Sequence, residues 1–479
     1  MEISQSDLLP VLSRFNPWWQ GRKIETLPDW RRAAFKELYE WTMNPPAHRA
    51  VSLSGARQIG KTTLILQLIQ RMLEEGVPPS NIIYATMDHP LLKLAGIDRV
   101  LEAWRELEPP AGGMEYVFVD EIQTMKDWGT WVKLQVDFNK NRRIVFTGSA
   151  MTMNEFSPES GVGRWHVCKL GTLSFYEYLK IKKLSLDELP SPHSLAELFS
   201  WDQRKFIQCA QIAEKYLGHF HEYLLRGGFP QTALVDDIDK AQRLVREDIV
   251  DKVLKRDMTA FYGVRNVLEL ESTFLYLCKH DGGILDMTAL CSNLGVKRPT
   301  AQNYIQHLES VHLLKKLAPY GYGKDILRAR FKVYLADASI APAVWLQGKG
   351  LLEDSVLLGQ TVETAVFKHL VSRAYRQNIG FSYWKNRKDQ EVDFIGTIGQ
   401  TDIPFEVKYR EQHTVAKEIP GLLDFIAQKN APRGYVLTKT LADFGILHSD
   451  MEGADRVMRI PAMLFCWWTG KNELDDFEI

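Results

Sequence analysis

Apolar positions fall into distinct regimes along this chain. Between residues 50 and 170, short continuous apolar runs at 50–54, 81–88, 116–121, 143–149 and 165–170 are separated by helical stretches. Continuous runs, unlike alternating ones, predict strands covered on both faces, hence a parallel sheet of five strands in an α/β fold. Residues 180–202 are polar, with Pro190 and Pro192, and read as a loop or insertion. Residues 206–262 are helical in pattern, with a turn at Gly227-Gly-Phe-Pro230 that is either a hinge or an ordinary helix break. From Asn266 the order is helix, Gly282-Gly283, a short strand at 284–286, helix, Gly295, a helix at 299–311, and strands at 313–318 and 331–337. Beyond Ser355 comes a long helix, strands at 380–384, 391–395 and 403–409, a helix at 415–429 and a strand at 434–438.

Length and charge sharpen this picture. At roughly 150 residues per domain, 479 residues correspond to about three cores, with boundaries expected at 1–180, 181–262, 263–345 and 346–479. Lys and Arg number 59 against 60 Asp and Glu, a net charge of −1, so no chain-wide field draws the protein to polyanions or membranes. Contact with nucleic acid then requires a local basic patch. The N-terminus lacks a basic start and apolar core of a secretory signal, and the apolar run 463–468 is too short to span a bilayer, so a cytoplasmic protein without a membrane partner is expected. The five cysteines are far apart and form no Cys-x-x-Cys, which predicts neither disulfides nor a thiolate zinc site. His219 and His221 lie in a helical pattern where a spacing of two sends them to different faces, against a metal pair.

The chemistry begins at Gly55-Ala56-Arg57-Gln58-Ile59-Gly60-Lys61-Thr62, set between the strand at 50–54 and a helical run from Thr63. This is the Gly-x4-Gly-Lys-Thr phosphate loop in its strand–loop–helix setting. Gly55 and Gly60 are expected to take backbone angles a Cβ would forbid, so that consecutive N–H groups up to Thr63 turn in around phosphate at a helix N-terminus. Lys61 would meet the β- and γ-phosphates, and Thr62 would offer a hydroxyl to Mg²⁺. The strand at 116–121 ends in Asp120 and Glu121, at the sheet edge where ligands bind in such folds. Asp120 suits the magnesium shell; Glu121 suits a general base that orients water, which would make the protein a hydrolase. Thr147 and Ser149 are candidates to sense the γ-phosphate. Arg164 is either a surface arginine or a catalytic one, reaching phosphate from its own chain or as an arginine finger from a neighbouring copy in a homo-oligomer.

Asn16-Pro-Trp-Trp19, the phosphate loop, Phe118-Val-Asp-Glu-Ile-Gln123, Thr147-Gly-Ser149, Gly163-Arg164, Leu173-Ser-Phe-Tyr-Glu-Tyr178 and Gly227-Gly-Phe-Pro230 keep one order along the chain. Together they resemble a large prokaryotic family of AAA-type ATPases with a C-terminal winged helix and restriction-endonuclease-like domain. The resemblance implies ATP with Mg²⁺ as ligands and a small helical lid over the nucleotide at 206–262. One departure is that no arginine motif is assignable as a lid sensor.

In the helix at 299–311, Ala301, Tyr304, Ile305, Leu308 and Val311 share one face, leaving Lys297, Arg298, Gln302, Asn303 and Gln306 outward. With the strands that follow, joined through Tyr320-Gly-Tyr-Gly-Lys324 and Arg328-Ala-Arg330, this reads as a winged helix-turn-helix, able to bind nucleic acid, DNA above all, or only to bridge domains. The C-terminal order of helix, three strands, helix and strand is that of the PD-(D/E)xK nuclease core, without its proline, since Val392 precedes Asp393. Glu406 and Lys408 alternate onto one strand face. Asp393 and Glu406 would hold Mg²⁺ or Mn²⁺, Lys408 would position or deprotonate water, and Glu363 is a third acid. Glu-x-Lys alone arises by chance about once or twice in a chain this long. Two functions follow: an ATP-driven nuclease, one setting being defence against foreign DNA, or an ATP-dependent switch that binds DNA or a protein without cutting.

Overall fold

A computed structural model describes residues 4–24, 27–148, 163–321, 330–372, 374 and 377–475. Ser149 and the wing residues Tyr322, Gly323, Lys324, Arg328 and Ala329 lie outside the described residues. The chain divides into two compact units, Met1–Gly171 with Ser310–His312, and Thr172–Glu309 with Leu313–Ile479.

In the first unit, β1 (Ala50–Ser54), β2 (Ile82–Thr86), β3 (Glu115–Asp120), β4 (Arg142–Gly148) and β5 (Trp165–Lys169) form a parallel sheet in the order β2-β3-β4-β1-β5. The five apolar runs are thus the five strands. Val117, Val119, Ile144 and Phe146 belong to a core that also holds Trp104 and, from helix α1 (Gln5–Phe15), Leu8 and Leu12. Helix α2 (Ala34–Met43) precedes β1, and α3 (Lys61–Glu74) follows the phosphate loop.

One edge of this sheet, β2, is sealed by side chains. Asn16, fully buried, donates from Nδ2 to Tyr84 O at 3.0 Å and accepts from Tyr84 N at 2.7 Å. The indole N–H groups of Trp18 and Trp19 both donate to Ile82 O, at 3.2 and 2.9 Å. The segment Asn16-Pro-Trp-Trp19 therefore stands in for a sixth strand, meeting the outward amide and carbonyls of β2 that an open edge would leave to aggregation.

In the second unit, β6 (Leu314–Leu317) and β7 (Lys332–Leu335) make an antiparallel hairpin after three helices, Val267–Lys279, Met287–Leu294 and Arg298–Ser310. The short strand expected at 284–286 is a single bridge between Ile284 and Lys332. A six-stranded sheet comprises β8 (Gly380–Lys385), β9 (Glu391–Ile398), β10 (Thr401–Lys408), β11 (Gly434–Thr438), β12 (Gly445–Ile446) and β13 (Val457–Pro461), ordered β12-β13-β11-β10-β9-β8. β9 runs antiparallel to its neighbours β8 and β10, and β11 and β13 run parallel to β10. The apolar run 463–468 lies in helix Ala462–Asp475, where Trp467 and Trp468 are buried. Among the described residues no helix is long and apolar enough to cross a membrane.

The segment 206–262, expected as a nucleotide lid, belongs by its contacts to the second unit. Phe206 packs on Phe444 with ring centroids 4.6 Å apart, and Trp201 packs on Trp468 at 5.9 Å. The Gly227-Gly-Phe-Pro230 turn is tied to Asp337 and crowded against Ser339. Asp337, 1% exposed, accepts from Gly228 N at 3.1 Å, Thr172 Oγ1 at 2.5 Å and Lys368 Nζ at 3.2 Å. Burial alone would raise Asp337, but Lys368 and the bonds from Thr172 and Ser339 hold it below its ordinary value. A Cβ on Gly227 would collide with the Ser339 side chain.

Candidate functional site

The phosphate loop leaves the carboxyl end of β1 and enters α3 through Gly60, whose φ of 93° only glycine adopts freely. Gly55 is required for a different reason from the one expected: its φ is not positive, but a Cβ there would overlap the Leu170 carbonyl oxygen and Ile59. Gln58 takes the left-handed conformation within the loop, with φ 57°. Lys61 turns its ammonium back onto the loop, donating to Gly55 O at 2.8 Å and Ala56 O at 2.7 Å. Arg32 NH1 donates to Ile59 O at 3.0 Å and braces the loop from outside, a contact with no signal in the motif.

Asp120, the last residue of β3, is 3% exposed and accepts three hydroxyl bonds. Thr62 Oγ1 and Tyr84 OH donate to its Oδ2 at 2.6 and 2.8 Å, and Thr147 Oγ1 donates to its Oδ1. Burial and then Asp120 push the Tyr84 phenol far above its ordinary 10, which keeps its proton in place as a donor. Thr147 is fully buried and also accepts from Glu121 N at 3.1 Å, so its hydroxyl ties the two acids together. Glu121 itself sits at φ 53°, a left-handed conformation that costs a non-glycine residue energy and recurs at active sites. Its carboxylate accepts from Gln123 Nε2. Oxygen donors from Thr62 and Asp120 meeting at the mouth of the loop fit Mg²⁺, a hard cation. A cleft of about 980 Å³ opens beside Thr62, lined by Arg14, Phe15, Trp18, Leu66 and Tyr84.

Arg164 stands at the other end of the sheet. Its carbonyl accepts from Ala50 N at 2.9 Å, where β1 begins, and its guanidinium pairs with Asp137 at 3.3 Å. β1 spans about 13 Å from there to the loop, so the route to phosphate on its own chain is closed.

The second cluster lies on β9, β10 and helix Ser355–Val371. The β9–β10 ladder ends at Phe394 and Phe405. Beyond it the amides of Asp393 and Val407 turn to carboxylates instead: Asp393 N donates to Glu406 Oε2 at 3.4 Å and Val407 N to Asp393 Oδ2 at 2.9 Å. Lys408 Nζ donates to Glu406 Oε1 at 2.5 Å. Glu363 accepts from Tyr334 OH at 2.6 Å. Burial and Asp393 push Glu406 up to about 8 despite Lys408, and the same two causes push Glu363 up to about 7. Glu363, Asp393, Glu406 and Lys408 are thus brought together. They are joined by Lys332 from β7, which sequence reasoning missed because nothing local marks it: its ammonium pairs with Glu391, Asp393 and Glu363. With that ammonium inside, the arrangement does not fit a divalent ion, and among the described residues no three His, Cys, Asp or Glu form a group that could hold one.

On helix Arg298–Ser310 the expected inward residues are buried, while Lys297, Arg298, Gln302, Asn303 and Gln306 are exposed. Arg330 pairs with Asp286 at 3.1 Å. His219 lies 3.6 Å from Glu222 and His221 bonds Tyr409 OH at 2.9 Å, so the two histidines diverge.

Comparison with known proteins bears on these units separately. An uncharacterized protein of Haemophilus influenzae is 24% identical over 379 residues, 76% of this chain and 84% of that protein. An uncharacterized protein of Methanocaldococcus jannaschii is 25% identical over 365 residues, 75% of this chain and 74% of that one. Among solved structures, replication initiator DnaA bound to AMPPCP and single-stranded DNA shares 14% identity over 58% of this chain and 86% of that one, with a TM-score of 0.24. The S. cerevisiae Hsp104–ADP complex shares 14% over 77% of this chain and 47% of that one, with a TM-score of 0.30. Similarity that low carries no argument. Residues 217–351 and 358–462 match two families described only as domains of unknown function. Residues 47–179 match the family described as an AAA domain, and with the loop and sheet above, this part of the chain is an AAA-type P-loop ATPase domain.

Proposed function

We propose that the protein hydrolyses ATP and works as a nucleotide-driven switch whose second unit binds nucleic acid. The observation that carries the first half is Asp120, held by Thr62, Tyr84 and Thr147 with Glu121 beside it. In this reading the loop amides and Lys61 bind the phosphates, Thr62 and Asp120 hold Mg²⁺, and Glu121 orients the attacking water. The ion would supply charge neutralisation on the phosphates. Arg164, facing away from its own loop, would serve only a neighbouring copy, which implies a homo-oligomer. The exposed face of Lys297, Arg298, Gln302, Asn303 and Gln306 supports a winged-helix surface for a duplex groove.

Phosphate release and duplex affinity, measured with ADP and with a slowly hydrolysed ATP analogue, test both halves. Lys61→Ala is expected to abolish turnover and to leave affinity insensitive to nucleotide. Equal duplex affinity in every nucleotide state of the unaltered protein would defeat the switch.

A second reading, a metal-dependent nuclease, is favoured by the convergence of Glu363, Asp393, Glu406 and Lys408. It ranks below the first because Lys332 shares their site. Mn²⁺-dependent cleavage lost in both Lys408→Ala and Asp393→Ala would promote it; cleavage that survives both would reject the site.

A further inference from the structure

Four carboxylates, Glu363, Glu391, Asp393 and Glu406, meet in the second unit, and two ammonium groups meet them. A divalent ion there would need oxygens at roughly 2.0–2.6 Å around one point. Lys332 Nζ instead lies 2.5 Å from Glu391 Oε1, 3.2 Å from Asp393 Oδ1 and 3.5 Å from Glu363 Oε1. Tyr334 OH is a fourth oxygen, at 3.4 Å, so the donors of the ammonium all have acceptors within reach. The side chain is 2% exposed, and lysine is almost never buried to that degree unless paired.

The placement of Lys332 is built into the backbone around it. The hairpin β6–β7 that carries it is stitched to β8 at Tyr383, from the residues that follow β6 and from one that precedes β7. Tyr320 N donates to Tyr383 O at 2.6 Å and Tyr383 N to Ala318 O at 3.0 Å, while Tyr383 OH donates to Arg330 O at 2.7 Å. Tyr320 OH adds a bond to Asp402 at 2.5 Å. The next residue along the same strand face, Tyr334, is fully buried and bonds Glu363. Backbone pairing thus delivers the ammonium into the carboxylates, independently of their attraction.

We propose that Lys332 is the resident cation of this carboxylate cluster and closes the C-terminal domain to divalent metal for as long as the hairpin stays docked on β8. An ammonium and a divalent ion repel one another and compete for the same oxygens, so a metal enters only when β7 withdraws. The inference rests on the nuclease-like reading for the identity of the cluster. Its test reads metal binding and not cleavage, so the two fail separately.

Mn²⁺ binding to the full chain without nucleotide, followed by electron paramagnetic resonance, decides it, with Asp393→Asn as the reference that separates this site from Asp120. The unaltered protein is expected to bind no more Mn²⁺ than Asp393→Asn. Lys332→Met, or Lys332→Gln if the first does not fold, is expected to gain one Mn²⁺ site with an affinity increase of roughly tenfold or more. Adding Asp393→Asn to either should remove it. A folded Lys332 variant with no gain would overturn the proposal. So would an Asp393-dependent ion in the unaltered protein, a result that needs no Lys332 variant at all.

Discussion

Asp120 and Asp393 are both strand carboxylates drawn into polar clusters, and their partners differ in kind. Asp120 takes its three side-chain bonds from the neutral hydroxyls of Thr62, Tyr84 and Thr147. Asp393 shares the Lys332 ammonium with Glu363 and Glu391. Hydroxyl donors orient a carboxylate while leaving its negative charge to be met by an added cation; an ammonium meets that charge itself. The comparison teaches that a run of acids in a strand does not make a metal site. What decides is whether the charge is already answered within the chain.

The largest effect that would break the comparison lies in the first unit. Glu121→Gln is expected to keep nucleotide affinity and to lose roughly 10²–10⁴-fold in turnover, as removal of a general base does; undiminished phosphate release would take that role from Glu121. In the second unit, Lys332→Met leaves three carboxylates without their shared partner and should cost about 3–5 kcal/mol of stability at neutral pH, read by denaturant unfolding. A loss comparable to that of a surface lysine would show that the cluster does not depend on it. Asn16→Ala, which opens the edge of β2, should cost about 1–3 kcal/mol, since a buried amide and carbonyl lose their partner. An unchanged unfolding midpoint would mean that Trp18 and Trp19 seal the edge alone.

The smallest effect is on pH dependence. Burial and Asp393 push Glu406 up to about 8 and Glu363 up to about 7, from an ordinary 4.5. A carboxyl that keeps its proton longer when folded makes the folded chain bind more protons between those values, so stability falls as pH rises from 4.5 towards 8. Glu406→Gln should flatten that slope. A second-unit melting midpoint that climbs between pH 5 and pH 8 would contradict the assignment.

Much of the first unit was legible because its signals are contiguous. The strand–loop–helix at 50–74, the acids closing β3 and all five strands were readable from local pattern. The bonds of Thr147 to Asp120 and Glu121 were not readable, since only the folded sheet turns its hydroxyl between them. That Arg164 sits at the end of the sheet away from the loop was not readable, because parallel pairing of β5 with β1 sets that end. In the second unit the helix face around Tyr304 and the alternation of Glu406 and Lys408 were both readable. β12, β13 and the helix that buries Trp467 were not, because a short apolar run looks alike in a strand and a buried helix.

By itself the sequence determined whatever rests on neighbours in the chain. Gly60 allows one backbone angle, Lys61 and Thr62 follow it into a helix N-terminus, and no distant residue is needed to make that a phosphate cradle. The tertiary structure alone decided which charges meet. Lys332 and Asp393 are far apart in sequence and are joined through the pairing of Tyr320 with Tyr383 and the splaying of β9 from β10. Electrostatic partners are chosen by distance in space, and spacing along the chain does not carry that distance once the chain folds back on itself.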